Sequence, residues 1–220
     1  MKSIPPLIIY AGCYGVMFLL TWITNRNKSN RLFDVNGIIA ANTGNLLGLH
    51  IAGIGWLALV PVMLFHQSFK ATLSGTGLPS NSLVLLFLFL LVVICLTGYR
   101  AGRKIEISRY YCAGLSKVFL VHYFFFRILF LFSYELFFRG FLLFECIQIV
   151  GIFSALLVTT GLTVLIHLFT NNKEMWGCIP FGIVLSLCCV AFNSVWPAIV
   201  LHIALSLSYE IPPIYFLLTN

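Results

Sequence analysis

The chain has 220 residues, of which 60% are hydrophobic and 9% charged, with a mean hydropathy of +1.02. Soluble domains carry about 25% charged residues, so this composition excludes a soluble globular protein and points to an integral membrane protein. The net charge of +7 does not indicate nucleic acid, because the basic residues collect in two short loops, the pattern that orients membrane proteins.

Hydrocarbon leaves no water to pair backbone amides, so a spanning chain is a helical bundle or a closed barrel. Barrel strands alternate apolar and polar residues. Here the apolar runs are continuous and about 17 to 25 residues long, the length that crosses about 30 Å as a helix. The expected fold is therefore all-α, a polytopic transmembrane helical bundle of about seven spans (six to eight). Residues 1–117 form the N-terminal spans with basic cytoplasmic loops, and residues 118–220 a helical core, in one integrated membrane unit.

The first predicted span covers residues 5–24. Its apolar run continues past Cys13 without a small-residue cleavage site, so it reads as a retained span rather than a removed signal. The loop at 25–34 holds Arg26, Lys28 and Arg31, and a polar approach leads to span 2 at 46–65. The loop at 67–81 is rich in Ser, Gly and Pro, with Lys70 alone. Span 3 (82–99) precedes the most basic loop, 100–117, with Arg100, Arg103, Lys104, Arg109 and Lys117. Loops one and three thus hold eight of the thirteen Lys and Arg residues, which places both in the cytoplasm and the N-terminus outside.

Span 4 (118–147) carries Arg127, Glu135, Arg139 and Glu145. Thirty residues exceed a simple crossing, so this span must tilt, break or begin at the interface. Its opening, His122 to Arg127, has the aromatic and basic mix of an interface. Span 5 (151–169) ends on His167, span 6 covers 177–192, and Pro197 is placed to start span 7 (197–207), which carries His202. From Tyr209 on, Pro212-Pro213 is expected to break any continuous helix. Cys13, Cys95, Cys112, Cys146, Cys178, Cys188 and Cys189 form no C-x-x-C pair and mostly lie in apolar runs, so they read as packing residues.

Three polar features remain inside the C-terminal spans: Glu135 with Arg139, His167, and His202. At helical pitch Glu135 and Arg139 share a face, one turn apart. A charge at the bilayer centre costs at least about 2.5–3.5 kcal/mol, so an intramembrane pair is a functional-site hypothesis by default. A carboxylate with two imidazoles suits activation of a water, the carboxylate as general base and the histidines as orienting or oxyanion-binding groups. The same His/His/Glu set could hold a divalent metal, although no cofactor is required by the pattern. The plainer alternative is an ion pair that pins two helices, with each histidine a hydrogen-bonded packing residue. His50, His66 and His122 lie at span ends and are assigned no role, and Glu145 reads as interfacial.

The order of these features resembles the CPBP family, the CAAX-protease and bacteriocin-processing (Abi) group of intramembrane endopeptidases. The resemblance covers about residues 120–208 and rests on Tyr134-Glu135-Leu136-Phe137-Phe138-Arg139-Gly140, on Thr163 to His167, on Phe181-Gly182-Ile183-Val184-Leu185, and on Val195-Trp196-Pro197-Ala198-Ile199-Val200-Leu201-His202. Family members carry Glu-Glu-x-x-x-Arg, Phe-x-x-x-His and His-x-x-x-Asn or His-x-x-x-Asp. By that resemblance Glu135 and Arg139 match the second glutamate and the arginine, and His167 and His202 the two histidines. The chain departs at three positions. Tyr134 replaces the first glutamate, which the family mechanism treats as the base, Thr163 replaces the phenylalanine, and Ser206 replaces the oxyanion-binding asparagine. A tyrosine, with a pKa near ~10, cannot be a resting base at neutral pH. Either Glu135 takes over that role, or the histidines alone hold the water, or hydrolysis has been lost.

The leading expectation is an intramembrane endopeptidase cleaving a membrane-associated protein or peptide. Glu135 is base or base-orienter, His167 and His202 the water and oxyanion partners, Arg139 the counter-ion, and Tyr134 and Ser206 line the site. The partners are then membrane lipid and a peptide substrate, with no nucleic acid, and the expected location is a bacterial plasma membrane. The alternatives are a catalytically inactive relative acting as a binding, immunity or assembly partner, and a proton- or solute-handling bundle. A protease predicts Glu135, His167 and His202 facing one water-filled cavity. A clamp predicts a dry Glu135–Arg139 pair.

Overall fold

The computed structural model describes residues 6–24, 32–33, 43–65, 73, 79–105, 116–169 and 172–219. The basic loops at 25–34 and 100–117 and the loop at 67–81 lie largely outside the described residues. The helices are α1 (Pro6–Thr24), α2 (Thr43–Leu64, with a wide π turn over Gly55–Leu59), α3 (Asn81–Gly102), α4 (Lys117–Glu135), a π segment (Leu136–Leu142), α5 (Leu143–His167), α6 (Asn172–Phe192) and α7 (Trp196–Thr219). Six helical stretches among the described residues are long and apolar enough to cross a membrane.

Local chemistry sets several of the boundaries. Ser80 caps α3 by accepting from the Leu83 amide at 3.4 Å, and Ser116 caps α4 by accepting from the Phe119 amide at 3.1 Å. Asn193 ends α6 at a φ of 46°, a conformation that asparagine tolerates, and Pro197 follows in the first turn of α7.

The fourth stretch, Lys117–His167, is 51 residues long. It does not run straight. Gly151 has φ 79° and ψ 167°, a conformation essentially restricted to glycine. Tyr134 and His167 are 33 positions apart, about 50 Å along an unbroken helix, yet their ring centroids lie 6.4 Å apart. The chain doubles back at Gly151, so this stretch makes two passes. The expected spans 4 and 5 are therefore joined as helix but separate as crossings, which makes seven passes among the described residues.

The tail departs from expectation. α7 continues through Pro212 and Pro213 to Thr219 rather than breaking before them. Pro213 lacks the N–H that would bond the Tyr209 carbonyl, and α3 lies against that turn through Gly102. In a bundle the neighbouring helix, rather than water, covers what proline exposes, so helix continues. A Cβ on Gly102 would run into the Tyr209 carbonyl, and one on Gly98 into the Ser208 hydroxyl. Gly102→Ala is therefore expected to part α3 from α7 and to cost about 1–3 kcal/mol as overpacking. Gly48→Ala, where a Cβ meets open space, is the matched control. Thermal unfolding in detergent checks the pair, and equal melting temperatures would refute the close contact.

The core gathers around Leu136, Phe137, Phe138 and Leu143, all at most 1% exposed, against Tyr10, Met17, Leu185 and Val195. Large apolar side chains such as Phe89, Phe153 and Met63 point outward, as a lipid-facing surface requires.

Candidate active site

Glu135 closes α4 and Arg139 lies in the π segment that follows; both are fully buried. Arg139 Nη1 sits 3.4 Å from Glu135 Oε1 and 3.3 Å from Oε2. The guanidinium also lies over the Phe138 ring, 5.8 Å from its centroid. Burying one of these charges alone would be prohibitive, and burying them paired is tolerable. Gly182 of α6 explains the close approach on the other side. A Cβ there would come within 3.0 Å of Arg139 Nη2 and 3.3 Å of the Thr160 methyl, so glycine at the Phe-Gly step lets α6 press on the pair.

The pair is not isolated. His202, from the second turn of α7, brings Nδ1 to 2.5 Å from Glu135 Oε1. The carboxylate thus sits between a guanidinium and an imidazole, and the sequence-predicted Glu135, Arg139 and His202 form one chain of contacts. His167, at the end of α5, bonds through Nδ1 to the Thr163 carbonyl at 2.9 Å. A carbonyl or a carboxylate can only accept, so Nδ1 carries the proton in both rings. In the neutral histidine Nε2 is then the acceptor, and hence the base. Tyr134 stands edge-on to both rings, with centroids 5.9 Å from His202 and 6.4 Å from His167. Phe181 meets His202 edge-on at 5.5 Å.

His167, His202 and Tyr134 line a common cavity of about 40 Å³ with His50, Arg127 and Glu174. A water needs about 10–15 Å³ of such space, so the cavity is roomy enough for a small cluster. Glu135 is not among the lining residues; it stands behind His202, which is 18% exposed. The expectation of one cavity faced by all three groups therefore meets a split arrangement, two imidazoles in the cavity and the carboxylate buried beyond one of them. The Tyr134 hydroxyl makes no hydrogen bond of good geometry, although Thr163 is near. Thr163's own hydroxyl donates to the Thr159 carbonyl at 2.8 Å.

Ser206, expected to line the site, is engaged elsewhere. Its hydroxyl donates to Glu210 Oε1 at 2.8 Å and accepts from Arg127 Nε at 3.3 Å. Arg127 Nε is also 3.3 Å from Glu210 Oε1, Tyr123 donates to Glu210 Oε2 at 2.5 Å, and Arg127 Nη1 lies 3.5 Å from His50 Nε2. Ser206 is drawn there because a buried carboxylate one turn further along α7 is the stronger acceptor. This second buried polar cluster joins α2, α4 and α7. Sequence reasoning placed Arg127 at the interface, gave His50 no role and put Glu210 in a broken tail. The available signal was the spacing His202, Ser206, Glu210, three polar residues on one helical face.

Among the described residues no three His, Cys, Asp or Glu side chains gather closely enough to hold a metal ion.

No curated protein matches this chain, and no solved structure does. A family match does exist. Residues 116–208 match the family model described as "Rce1-like: Type II CAAX prenyl endopeptidase Rce1-like". That stretch holds α4, the π segment, the Gly151 reversal, α6 and the first half of α7, and so every residue of the Glu135–Arg139–His202 chain and His167. With its apolar helices the protein is an integral membrane protein, and its residues 116–208 are similar to the Rce1-like, CAAX-protease type of membrane endopeptidase, the CPBP family that the sequence resembles.

Proposed function

We propose that the protein is a membrane endopeptidase in which His202, backed by Glu135, activates the attacking water. The observation that carries this is the Glu135–His202 contact at the edge of a cavity with room for a few waters that a second histidine also lines. Glu135 fixes the His202 tautomer and stabilises the imidazolium that forms, and so acts as the orienting residue, with Arg139 keeping the carboxylate charged and aimed. His167 is the second imidazole that lines the cavity beside the water. As the water oxygen bonds to the scissile carbonyl carbon, its proton passes to His202 Nε2. That proton then goes to the departing amine nitrogen, and the C–N bond breaks.

The substrate in this reading is a peptide or a protein segment held at the membrane. Thr21, His50, His167 and Glu174 line the cavity from the ends of α1, α2, α5 and α6 that adjoin loop one and the α5–α6 turn. The basic residues of loop one put that side in the cytoplasm, so the cavity opens cytoplasmically, in a bacterial plasma membrane. Two imidazole nitrogens fall short of the three protein ligands of hydrolytic zinc. We accordingly propose a metal-independent reaction, one that survives chelators.

A non-catalytic relative is the competing reading, favoured by Tyr134 at the position of the first glutamate and by the buried position of Glu135. Membrane preparations of the wild type, His167→Ala and His202→Ala separate the two. They would be offered quenched peptides with and without a prenyl group, alongside a proteomic comparison of unprocessed membrane peptides in cells. Cleavage or processing by the wild type that both variants lose supports the endopeptidase. A wild type that processes nothing, with all three proteins folded, leaves the binding partner.

A further inference from the structure

Hydrolysis puts negative charge on the scissile carbonyl oxygen, and that charge needs a donor inside the cavity. Most of the surrounding backbone lies inside helices, where its amides are already bonded; the exception is the first turn of α6 at Glu174, whose own carboxyl would oppose an oxyanion there. The Ser206 hydroxyl donates its proton to Glu210 and cannot donate elsewhere at the same time. Arg127 is the one guanidinium in the cavity lining, and it is 5% exposed. Its position is over-determined: Nε is held between Ser206 Oγ and Glu210 Oε1, both at 3.3 Å, and Nη1 lies 3.5 Å from His50 Nε2. Glu210 is itself fixed by Tyr123, whose hydroxyl also accepts from the Leu32 amide at 3.2 Å. Such a cation costs no reorganisation when charge appears beside it, the condition under which electrostatic stabilisation is strongest.

The placement along the helices agrees. Arg127 lies two turns before Tyr134 on one face of α4, and its partner Ser206 lies one turn beyond His202 on α7. Arg127 and His202 thus line the same cavity from two different helices, α4 and α7. Glu210 falls just past the family match, which ends at residue 208.

We propose that Arg127, clamped by Glu210 and Ser206, is the oxyanion-stabilising group of this site. The inference rests on the endopeptidase reading. As the water oxygen bonds to the carbonyl carbon, the carbonyl π pair moves onto oxygen and lies against the guanidinium. When the C–N bond breaks, the pair returns to re-form C=O.

The test uses the purified full chain in detergent and the quenched peptide it cleaves. Arg127→Met/Glu210→Gln removes the cation together with its counter-charge, so neither is left buried alone. Its kcat is expected to fall about 10²–10³-fold, as for loss of one oxyanion donor, with KM within about threefold of wild type. Arg127→Lys keeps the charge but loses the fork, and is expected to lower kcat about tenfold at unchanged KM. If the double variant does not fold, the Lys variant decides by the same split. The proposal is overturned if kcat stays within about threefold while His202→Ala is dead, a result that leaves the endopeptidase reading standing. It is also overturned if the loss appears in KM alone, the mark of an anchor for a substrate carboxylate, or if Tyr134→Phe carries the kcat loss instead. A wild type that cleaves nothing removes both readings.

Discussion

Glu135→Gln is expected to lower kcat about 10³–10⁴-fold, the scale seen when the carboxylate behind a catalytic imidazole becomes an amide. The glutamine can still accept a hydrogen bond from Arg139, but it leaves the buried guanidinium without its counter-charge, so the variant is expected to fold less firmly and its turnover is read on the folded fraction. What it loses is the charge opposite the His202 imidazolium and the certainty that His202 Nδ1 carries the proton, since an amide that flips can present its NH₂ instead. Glu135→Asp keeps the charge but shortens the reach by one methylene. From a 2.5 Å contact it should retain an intermediate rate. Because Glu135 and His202 act as a unit, Glu135→Gln/His202→Ala should be no slower than His202→Ala alone. Kinetics on the folded variants check all three. Should Glu135→Gln keep more than about a tenth of the wild-type kcat, where loss of the carboxylate behind a catalytic imidazole costs orders of magnitude, Glu135 is a helix clamp and the base lies elsewhere.

That arrangement shows how far the sequence reaches. The passes were legible because continuous apolar runs have only one use in hydrocarbon, and the Gly151 reversal agrees with an apolar run too long for one crossing. Glu135, Arg139 and His202 were also legible, since charge and imidazole at membrane depth need one another. Which of Tyr134 and Glu135 faces the cavity was not. Adjacent helical residues point about 100° apart, and the Leu136–Leu142 π segment, where the helix widens, has no reliable sequence signature. Arg127 and Glu210 were misread for a different reason. Near a span end an arginine reads as interfacial, and Glu210 two residues before Pro212 reads as tail. Once α7 runs on to Thr219, both lie at depth and must pair. Proline's veto on helix interiors was the weak premise, because it is calibrated on helices whose exposed carbonyls face water rather than a packed neighbour such as α3.

Arg139→Met is the second change expected to act strongly, and it acts on stability. Removing one partner of a buried ion pair costs about 3–5 kcal/mol, because the other charge stays buried without compensation. Here the cost is concentrated on Glu135, which is fully buried and has only His202 left to balance it. Met is close to Arg in length and fills the space under Gly182 and beside Phe138, so the loss measures charge rather than a cavity. Arg139→Met/Glu135→Gln should regain most of it by removing the stranded carboxylate, even though that double variant is expected to be inactive. Stability and turnover would then move in opposite directions along one series: the single change folded less firmly, the double firmer and dead. Thermal unfolding in detergent with a parallel cleavage assay reads both. If Arg139→Met melts with the wild type, Glu135 is held charged by His202 alone, and the guanidinium has no part in keeping the carboxylate ready behind the imidazole.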